Sequence, residues 1–415
     1  MGQHVRMMFD RTTLLERFED MYAVPPTHVI RVPGRVNLIG EHIDYCGLSV
    51  LPMAIDRAVW LALRPNHLEK IRITTTAVGF SPAEFSTLTP IVTGQPGDWV
   101  NYARAAAETI LTGNFLARRT SPPGFDALVD ADLPLAMGLS SSSALVVATA
   151  LALVVTAGMD DLERVCGNDQ SVRLELADEL ARGERYVGTV GGGMDQTACL
   201  LGCSECAIRV DFDPLAVTPV PVPPGWSFVV AHSGDKAEKS GAAQQVYNRR
   251  TEEARRAAQK AWSILGEPEH FQTASDEGLR SYDGLLAYTD ILEKSKKLLD
   301  STSYRRFRHI LTEARRVAHA EEAMRAGRLA KFGELLTASH RSLRDDYEVS
   351  TRRLDAMVNT ALASGAAGAR LTGAGLGGAI VAICPENNIE NVLAGLSYGT
   401  PFIARPSEGA TVSLI

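Results

Sequence analysis

The stretch Gly138-Leu139-Ser140-Ser141-Ser142-Ser143-Ala144-Leu145 runs directly into the apolar segment Val146–Leu153. One glycine and four consecutive serines therefore precede a run that predicts a buried helix. The first N–H groups of a helix have no partner within the helix, and the helix dipole adds partial positive charge at the same end. Such an end binds phosphate well. One serine suffices to cap a helix, so four in a row favour phosphate binding over simple capping, without excluding a cap.

The composition is that of an ordinary globular protein. With 415 residues the chain is long enough for two or three domains and a large core. A net charge of −7 argues against a nucleic-acid-binding surface, so we expect no nucleic-acid partner.

The cysteines and the apolar runs bear on location. The pair Cys203 and Cys206 has CxxC spacing but lacks the second pair that a zinc site needs. Residues 1–9 contain no apolar core of signal-peptide length, and the apolar run 144–158 is shorter than the ~20 residues of a membrane span. We therefore expect reduced thiols, a cytoplasmic location and no membrane partner.

Periodicity predicts a chain of mixed helices and strands. Helices are predicted over 10–22, 99–111, 249–265, 291–298, 304–326, 329–340 and 354–364. Strands are predicted over 29–32, 58–63, 71–75, 125–130, 227–231, 370–372 and 379–384. The proline-rich run 219–224 excludes a helix and does not suit a central strand. We therefore place a domain boundary there, giving domains 1–222 and 223–415.

A first polar cluster follows the strand-like residues Val36, Leu38 and Ile39. It consists of Glu41, His42 and Asp44. Carboxylates accept hydrogen bonds and an imidazole can donate or accept, so this group suits the recognition of several hydroxyls. A solvated surface turn with a structural histidine would have the same pattern.

Two glycine-rich segments follow later in the chain. In Gly188–Gln196, three consecutive glycines precede Met194 and Asp195, which allows close approach of the backbone to a ligand or forms a flexible loop with an aspartate cap. The segment Gly373–Gly378 fits GxGxxG, but a strand-like run follows it where a dinucleotide site needs a helix. We therefore predict a strand–loop–strand unit there, and no dinucleotide site.

The serine loop and these three segments, in this order, resemble the GHMP kinase superfamily. Residues 34–45, Gly-Arg-Val-Asn-Leu-Ile-Gly-Glu-His-Ile-Asp-Tyr, are similar to the galactokinase signature. The resemblance extends over nearly the whole chain and includes Leu51–Ala54, Trp99–Tyr102, Met194–Gln196, Tyr247–Arg250 and Ser342–Ser350.

The resemblance implies a two-domain α+β fold, the GHMP kinase fold. Its N-terminal domain would resemble domain 2 of ribosomal protein S5, and its C-terminal domain would be ferredoxin-like with extra helices. It also implies a galactokinase-like enzyme that uses ATP and Mg²⁺ to phosphorylate the C1 hydroxyl of galactose, a small-molecule substrate. We expect a monomer.

The resemblance also implies a role for each site residue. The catalytic residues would be Asp195, which faces the C1 hydroxyl, and Arg35, which keeps Asp195 ionised. The sugar would be bound by Glu41, His42, Asp44, Gly192 and Tyr247. ATP would be bound by Trp99, Gly138, Leu139, Ser140, Ser141, Ser142, Ser143, Gly373 and Gly375. The metal ligands would be Ser142 and Glu184.

Three features keep alternatives open. Gly183 stands where galactokinases have a Mg²⁺-linked glutamate, with Glu184 one residue later. Ile43, Cys46-Gly47 and the segment Gly188–Gly193 are closer to N-acetylgalactosamine kinases, and the triple glycine in that segment could leave room for a 2-acetamido group. That sugar, or another hexose, is the alternative substrate. A non-catalytic ATP- and sugar-binding sensor is a second alternative, although the complete serine loop and Asp195 argue against it.

Overall fold

The computed structural model describes residues 9–113, 115–116, 124–134, 137–167, 169–188, 191–235, 242–271 and 282–415. In chain order its helices are α1 (Arg11–Tyr22), α2 (Val100–Thr112), α3 (Ser141–Ala157), α4 (Met159–Cys166), α5 (Gln170–Gly183), α6 (Met194–Leu201), α7 (Ala242–Leu265), α8 (Tyr282–Leu286), α9 (Ile291–Leu298), α10 (Ser301–Arg325), α11 (Leu329–Asp345), α12 (Arg352–Ala363) and α13 (Ile389–Gly395). Short 3₁₀ turns lie at Asp44–Cys46, Glu184–Val187, Pro268–His270, Glu386–Asn388 and Ser397–Gly399.

The strands are β1 (His28–Ile39), β2 (Leu51–Pro65), β3 (Lys70–Thr75), β4 (Ala83–Ser86), β5 (Phe125–Ala131), β6 (Cys206–Phe212), β7 (Leu215–Pro221), β8 (Trp226–His232), β9 (Gly368–Thr372), β10 (Ala379–Pro385), β11 (Phe402–Ala404) and β12 (Thr411–Leu414). They form a six-stranded sheet in the order β12-β1-β2-β5-β3-β4, a four-stranded sheet in the order β11-β8-β10-β9, and the hairpin β6-β7. The predicted α+β class is confirmed, and each helix and strand predicted from periodicity is present, with the bounds of the helix 291–298 as predicted and the ends of the others shifted.

Helix α3 packs against β1 and β2 of the six-stranded sheet. It is buried on all sides from Ser143 to Val155, as expected of a helix that is apolar around its whole circumference. The sheet therefore fixes where the helix begins. Its serine-rich first turn lies beside the part of β1 that carries Arg35, whose N–H donates to the Leu139 carbonyl at 3.2 Å.

The four-stranded sheet belongs to the second half of the chain and is antiparallel throughout. Helices α11 and α12 pack against its edge strand β9. Strands β9 and β10 pair directly across the glycine-rich loop, with Ala379 opposite Thr372. The segment is therefore a hairpin, as predicted, and not the strand–loop–helix of a dinucleotide site.

The prolines at 219 and 221 lie in β7, which pairs only with β6 in the described part of the chain. A strand with one free edge accommodates residues that lack an N–H donor. The domain boundary at 222/223 stays a prediction. The structure adds that β12, from the far end of the chain, joins the first sheet, with Leu414 opposite His28.

A fully buried carboxylate, Glu313 of α10, holds the turn that follows β1. Its Oε1 accepts hydrogen bonds from the Gly40 N–H at 3.0 Å and the Ser339 hydroxyl at 2.6 Å. Its Oε2 lies 2.7 Å from Nε of Arg316. Burial alone would raise the pKa of Glu313, but Arg316, His309, Arg370 and the Ser339 hydrogen bond outweigh it and lower the pKa to about 2.

Glu313→Gln is expected to lower the free energy of unfolding at pH 7 by about 3 kcal/mol, because it leaves the half-buried Arg316 beside a neutral group. The lowered pKa means that the charge stabilises the fold fully above pH 4.5, and less as the pH falls from there toward about 2. Urea denaturation at pH 7, 5 and 4 measures the free energy of unfolding of wild type and variant. The difference between the two should become smaller only at pH 4.

The control is Glu322→Gln, which changes an exposed carboxylate on the same helix and should alter stability by less than about 0.5 kcal/mol. Equal stability of the Glu313→Gln and Glu322→Gln variants at pH 7 would contradict the role given to Glu313.

Candidate active site

The first turn of α3 begins at a serine that does not act as a cap. Ser140 has the left-handed backbone conformation, with φ of +62°, and its side chain makes no capping hydrogen bond. Its hydroxyl oxygen is buried without a partner among the described residues. The first bond of the helix runs from the Ala144 N–H to the Ser140 carbonyl at 2.8 Å. Simple capping by Ser140 is therefore wrong, and this end of α3 retains the features of an anion site.

A buried ion pair joins β1 to the start of α6. Arg35 contacts Oδ1 of Asp195 through Nε at 2.7 Å and through a terminal nitrogen at 2.6 Å. Its other terminal nitrogen donates to the Gly138 carbonyl at 2.7 Å. Burial lowers the pKa of Arg35, but the negative charges of Asp195 and Glu41 outweigh it and raise the pKa. The guanidinium thus stays charged and connects Asp195 to the serine loop.

A second carboxylate lies on the other side of Asp195. The Ser143 hydroxyl is 3.3 Å from Oε1 of Glu184 and 3.4 Å from Oδ2 of Asp195. Glu184 is buried and begins the 3₁₀ turn after α5. The serine between the two carboxylates is therefore Ser143, whereas Ser142 is half-buried in the first turn of the helix. The assignment of Ser142 and Glu184 as metal ligands stays a prediction.

The residues predicted to bind the sugar line one open cleft of about 400 Å³. Its walls consist of Arg35, Glu41, His42, Asp44, Glu184, Gly191, Gly192, Gly193, Met194, Asp195, Gln196, Tyr247 and Ala374. A concave site with several convergent polar groups is typical of a small-molecule pocket. The structure therefore brings the predicted catalytic pair and all five predicted sugar-binding residues together.

Both ring nitrogens of His42 have partners within the protein. A carbonyl can only accept, so Nε2 donates to the Ala374 carbonyl at 3.1 Å, and Nδ1 accepts from the Tyr45 hydroxyl at 3.2 Å. Burial, with a smaller contribution from His309, lowers the pKa of His42 to about 3. His42 is therefore neutral at pH 7. It presents a ring face beside Tyr247, with ring centroids 5.6 Å apart.

The consecutive glycines before Met194 pack against protein. A Cβ on Gly191 would lie 2.6 Å from Oε2 of Glu184, and one on Gly192 would lie 2.3 Å from the carbonyl carbon of Asp44. A Cβ on Gly193 would lie 3.0 Å from Cβ of Ala181. These distances describe only the direction of a Cβ, and the same three glycines line the open cleft, so the room for a 2-acetamido group stays a prediction. The preceding Thr189 and Val190 lie outside the described residues.

The Gly192 backbone also positions Asp44, a residue predicted to bind the sugar. Its N–H donates to Oδ2 of Asp44 at 3.1 Å. The close packing of the two backbones, and not this hydrogen bond, explains why the position suits glycine.

The β9–β10 loop meets the serine loop backbone to backbone. Gly373 has φ of +85°, and a Cβ there would lie 2.8 Å from the Gly138 carbonyl. Its N–H donates to Oε2 of Glu41 at 3.1 Å. Gly375 packs against the backbone of Val349, where a Cβ would lie 2.4 Å from the carbonyl oxygen. The loop therefore touches both the predicted phosphate site and the predicted sugar site.

Trp99 lies apart from the cleft lining. It directly precedes α2, its indole N–H donates to the Ser81 carbonyl at 3.2 Å, and its ring packs edge-on against Phe80. Its role in an adenine pocket stays a prediction. Arg370, which is fully buried and contacts Glu41, was not among the predicted site residues. Its position, directly before the Leu-Thr-Gly that opens the glycine loop, is the available signal.

Two features are absent from the described residues. No group of three or more histidine, cysteine, aspartate or glutamate side chains that could hold a metal ion occurs in that part of the chain. None of the helices described is long and apolar enough to cross a membrane.

Three family models match the chain. They are the galactokinase galactose-binding signature over residues 16–65, the GHMP kinases N terminal domain over residues 101–203, and the GHMP kinases C terminal over residues 320–399.

Relatives and solved structures agree with these matches. The galactokinase of Chloroflexus aurantiacus is 34% identical over 94% of this chain and 93% of its own. That of Roseiflexus sp. is 32% identical over 97% of each. The crystal structure of Lactococcus lactis galactokinase complexed with galactose superposes with a TM-score of 0.77 at 30% identity, covering 96% of this chain and 99% of that one. The mevalonate kinase of Methanococcus jannaschii, at 16% identity and a TM-score of 0.58 over 92% of this chain and 98% of its own, shares the fold.

Gly192→Ala is expected to destabilise the protein by about 2–3 kcal/mol, because the new methyl group overlaps backbone that cannot move away. Gly225→Ala is the control: it strains a positive φ, of +78°, which Gly192 does not have, but its Cβ would have no neighbour within 4 Å. The control should cost about 1 kcal/mol. Thermal denaturation compares the two, and a Gly192→Ala variant as stable as the control would contradict the packing argument.

Proposed function

The chain belongs to the galactokinase family of GHMP kinases, and on that premise we propose that it transfers the terminal phosphoryl group of ATP to the C1 hydroxyl of galactose. The products are galactose 1-phosphate and ADP. The observation that carries the proposal is the buried Arg35–Asp195 pair at the start of α3, within the cleft lined by Glu41, Asp44 and Tyr247. The galactose bound by the L. lactis relative supports the choice of sugar.

In the proposed reaction Asp195 orients the attacking hydroxyl. Arg35 holds Oδ1 of Asp195, so the carboxylate can accept a hydrogen bond from the C1 hydroxyl only in a fixed direction. Phosphoryl transfer has a loose transition state, and catalysis is mostly positioning and stabilisation of charge. A carboxylate beside a guanidinium is a weak base, so the proton leaves the hydroxyl late. Arg35 stabilises the transferring group.

ATP phosphates bind at the first turn of α3 in this proposal. The N–H groups of that turn and the serine hydroxyls would donate to phosphate oxygens. The buried hydroxyl of Ser140, unpartnered within the described residues, fits this role, because a phosphate oxygen would supply the missing partner. Trp99 at the adenine, and Gly373 and Gly375 beside the phosphates, belong to the same proposal.

The residues around Asp195 fit a magnesium ion. Mg²⁺ prefers oxygen ligands, and Ser142, Ser143 and Glu184 offer only oxygen atoms next to the predicted phosphate site. We keep Ser142 and Glu184 as the proposed ligands, with the Ser143 hydroxyl beside them. A bound Mg²⁺ would neutralise charge on the phosphate oxygens.

Two further parts of the proposal rest on the sequence alone. They are a cytoplasmic location, from the reduced thiols expected of the chain, and a monomeric state.

Parallel rate measurements with galactose, N-acetylgalactosamine and other hexoses test the substrate. We expect galactose to be phosphorylated fastest, because the L. lactis galactokinase whose crystal structure contains galactose is 30% identical and covers 96% of this chain. A higher kcat/KM for N-acetylgalactosamine would replace galactose as the substrate. ATP-dependent sugar binding without turnover of any hexose would indicate the sensor instead.

Asp195→Asn is expected to lower kcat by roughly 10²–10⁴-fold. The amide has the same shape and can still accept from Arg35, so the fold should be kept, but loss of the charge beside the buried guanidinium should lower the melting temperature. Steady-state kinetics with galactose and thermal denaturation measure both quantities. Near-normal turnover in the folded variant would remove Asp195 from the mechanism.

A further inference from the structure

Arg370 is a fully buried arginine on β9, in the second half of the chain. One terminal nitrogen donates to the Leu38 carbonyl at 3.1 Å. The other donates to Oε2 of Glu41 at 2.6 Å. Arg370 thus reaches from the second sheet to the end of β1, and its charge is paired with a carboxylate that lines the cleft.

A second donor fixes the same oxygen of Glu41. The Gly373 N–H lies 3.1 Å from Oε2, from the loop that follows the strand of Arg370. Two donors thus bind one oxygen of Glu41, and the Leu38 carbonyl fixes the guanidinium that supplies one of them. These contacts restrict rotation of the carboxylate. The second oxygen, Oε1, is then the one available to a ligand in the cleft.

We propose that Arg370 is a positioning residue for the sugar: it holds Glu41 through Oε2 so that Oε1 accepts a hydrogen bond from a galactose hydroxyl. This inference rests on the proposed function. Arg370 acts through Glu41 and does not line the cleft itself. Its effect should therefore fall on sugar binding, and not on ATP binding.

An arginine suits this task better than a lysine would. The guanidinium is planar and donates in two fixed directions, here to Leu38 and Glu41. A lysine keeps the positive charge but cannot reproduce this fork. Arg370→Lys therefore removes the orientation of Glu41 while leaving its charge partner.

The chain offers a matched control in Arg306. It is also almost fully buried, at 1% exposure, and it donates to Glu253 at 2.7 Å and Glu348 at 2.5 Å. It lies outside the cleft lining. Arg306→Lys should therefore lower thermal stability but leave the KM for galactose and the KM for ATP nearly unchanged.

The experiment measures KM for galactose and for ATP separately in wild type and in both arginine variants. For Arg370→Lys we expect the galactose KM to rise about tenfold or more, with the ATP KM within about twofold of wild type. For Arg306→Lys both values should stay within about twofold. A folded Arg370→Lys variant with an unchanged galactose KM, or with both KM values raised equally, overturns the proposal.

Glu41→Gln keeps the proposal testable if Arg370→Lys does not fold. The amide oxygen can still accept from Arg370 and Gly373, but an NH₂ group replaces Oε1 and cannot accept from a hydroxyl. We expect a raised galactose KM with an unchanged ATP KM. An unchanged galactose KM overturns the positioning role. Wild-type protein without turnover of any hexose would overturn the proposed function instead, so the two failures are distinguishable.

Discussion

The buried pair of Arg35 and Asp195 is the interaction on which the site depends. Two charges inside a protein cost several kcal/mol each in lost hydration, and they are tolerated only with good mutual geometry and further hydrogen bonds. Here the guanidinium donates to Asp195 through Nε and one terminal nitrogen, and to the Gly138 carbonyl through the other terminal nitrogen. The arrangement requires β1, α6 and the serine loop to meet at one place, and the burial of α3 against β1 and β2 ensures that they do.

The second half of the chain completes the site from the other side. Its β9–β10 loop touches the serine loop through Gly373, and the same residue donates to Glu41. Arg370 adds a charged contact to that carboxylate. One short loop thus borders both the predicted phosphate region and the predicted sugar region, so neither half of the chain contains a complete site.

The sequence was informative where the signal was local. The apolar run after the serines and the strand–loop–strand pattern around Gly373–Gly378 both folded as predicted. The hairpin β6–β7 was not predicted, because prolines 219 and 221 disfavour a strand until a free edge is available. Gly192 packs against Asp44, and Nε2 of His42 donates to the Ala374 carbonyl. Both contacts join residues that are distant in sequence. Local periodicity carries no information about such contacts.

The position of β12 has a consequence for synthesis of the protein. This strand is the outer neighbour of β1, and the N–H of the last residue, Ile415, donates to the Thr27 carbonyl. During translation the first sheet emerges from the ribosome long before its border strand exists. Until β12 has emerged, β1 has an open edge to which other extended chains can add. The nascent polypeptide therefore carries an unpaired β1 edge from the time the first sheet forms until β12 is added.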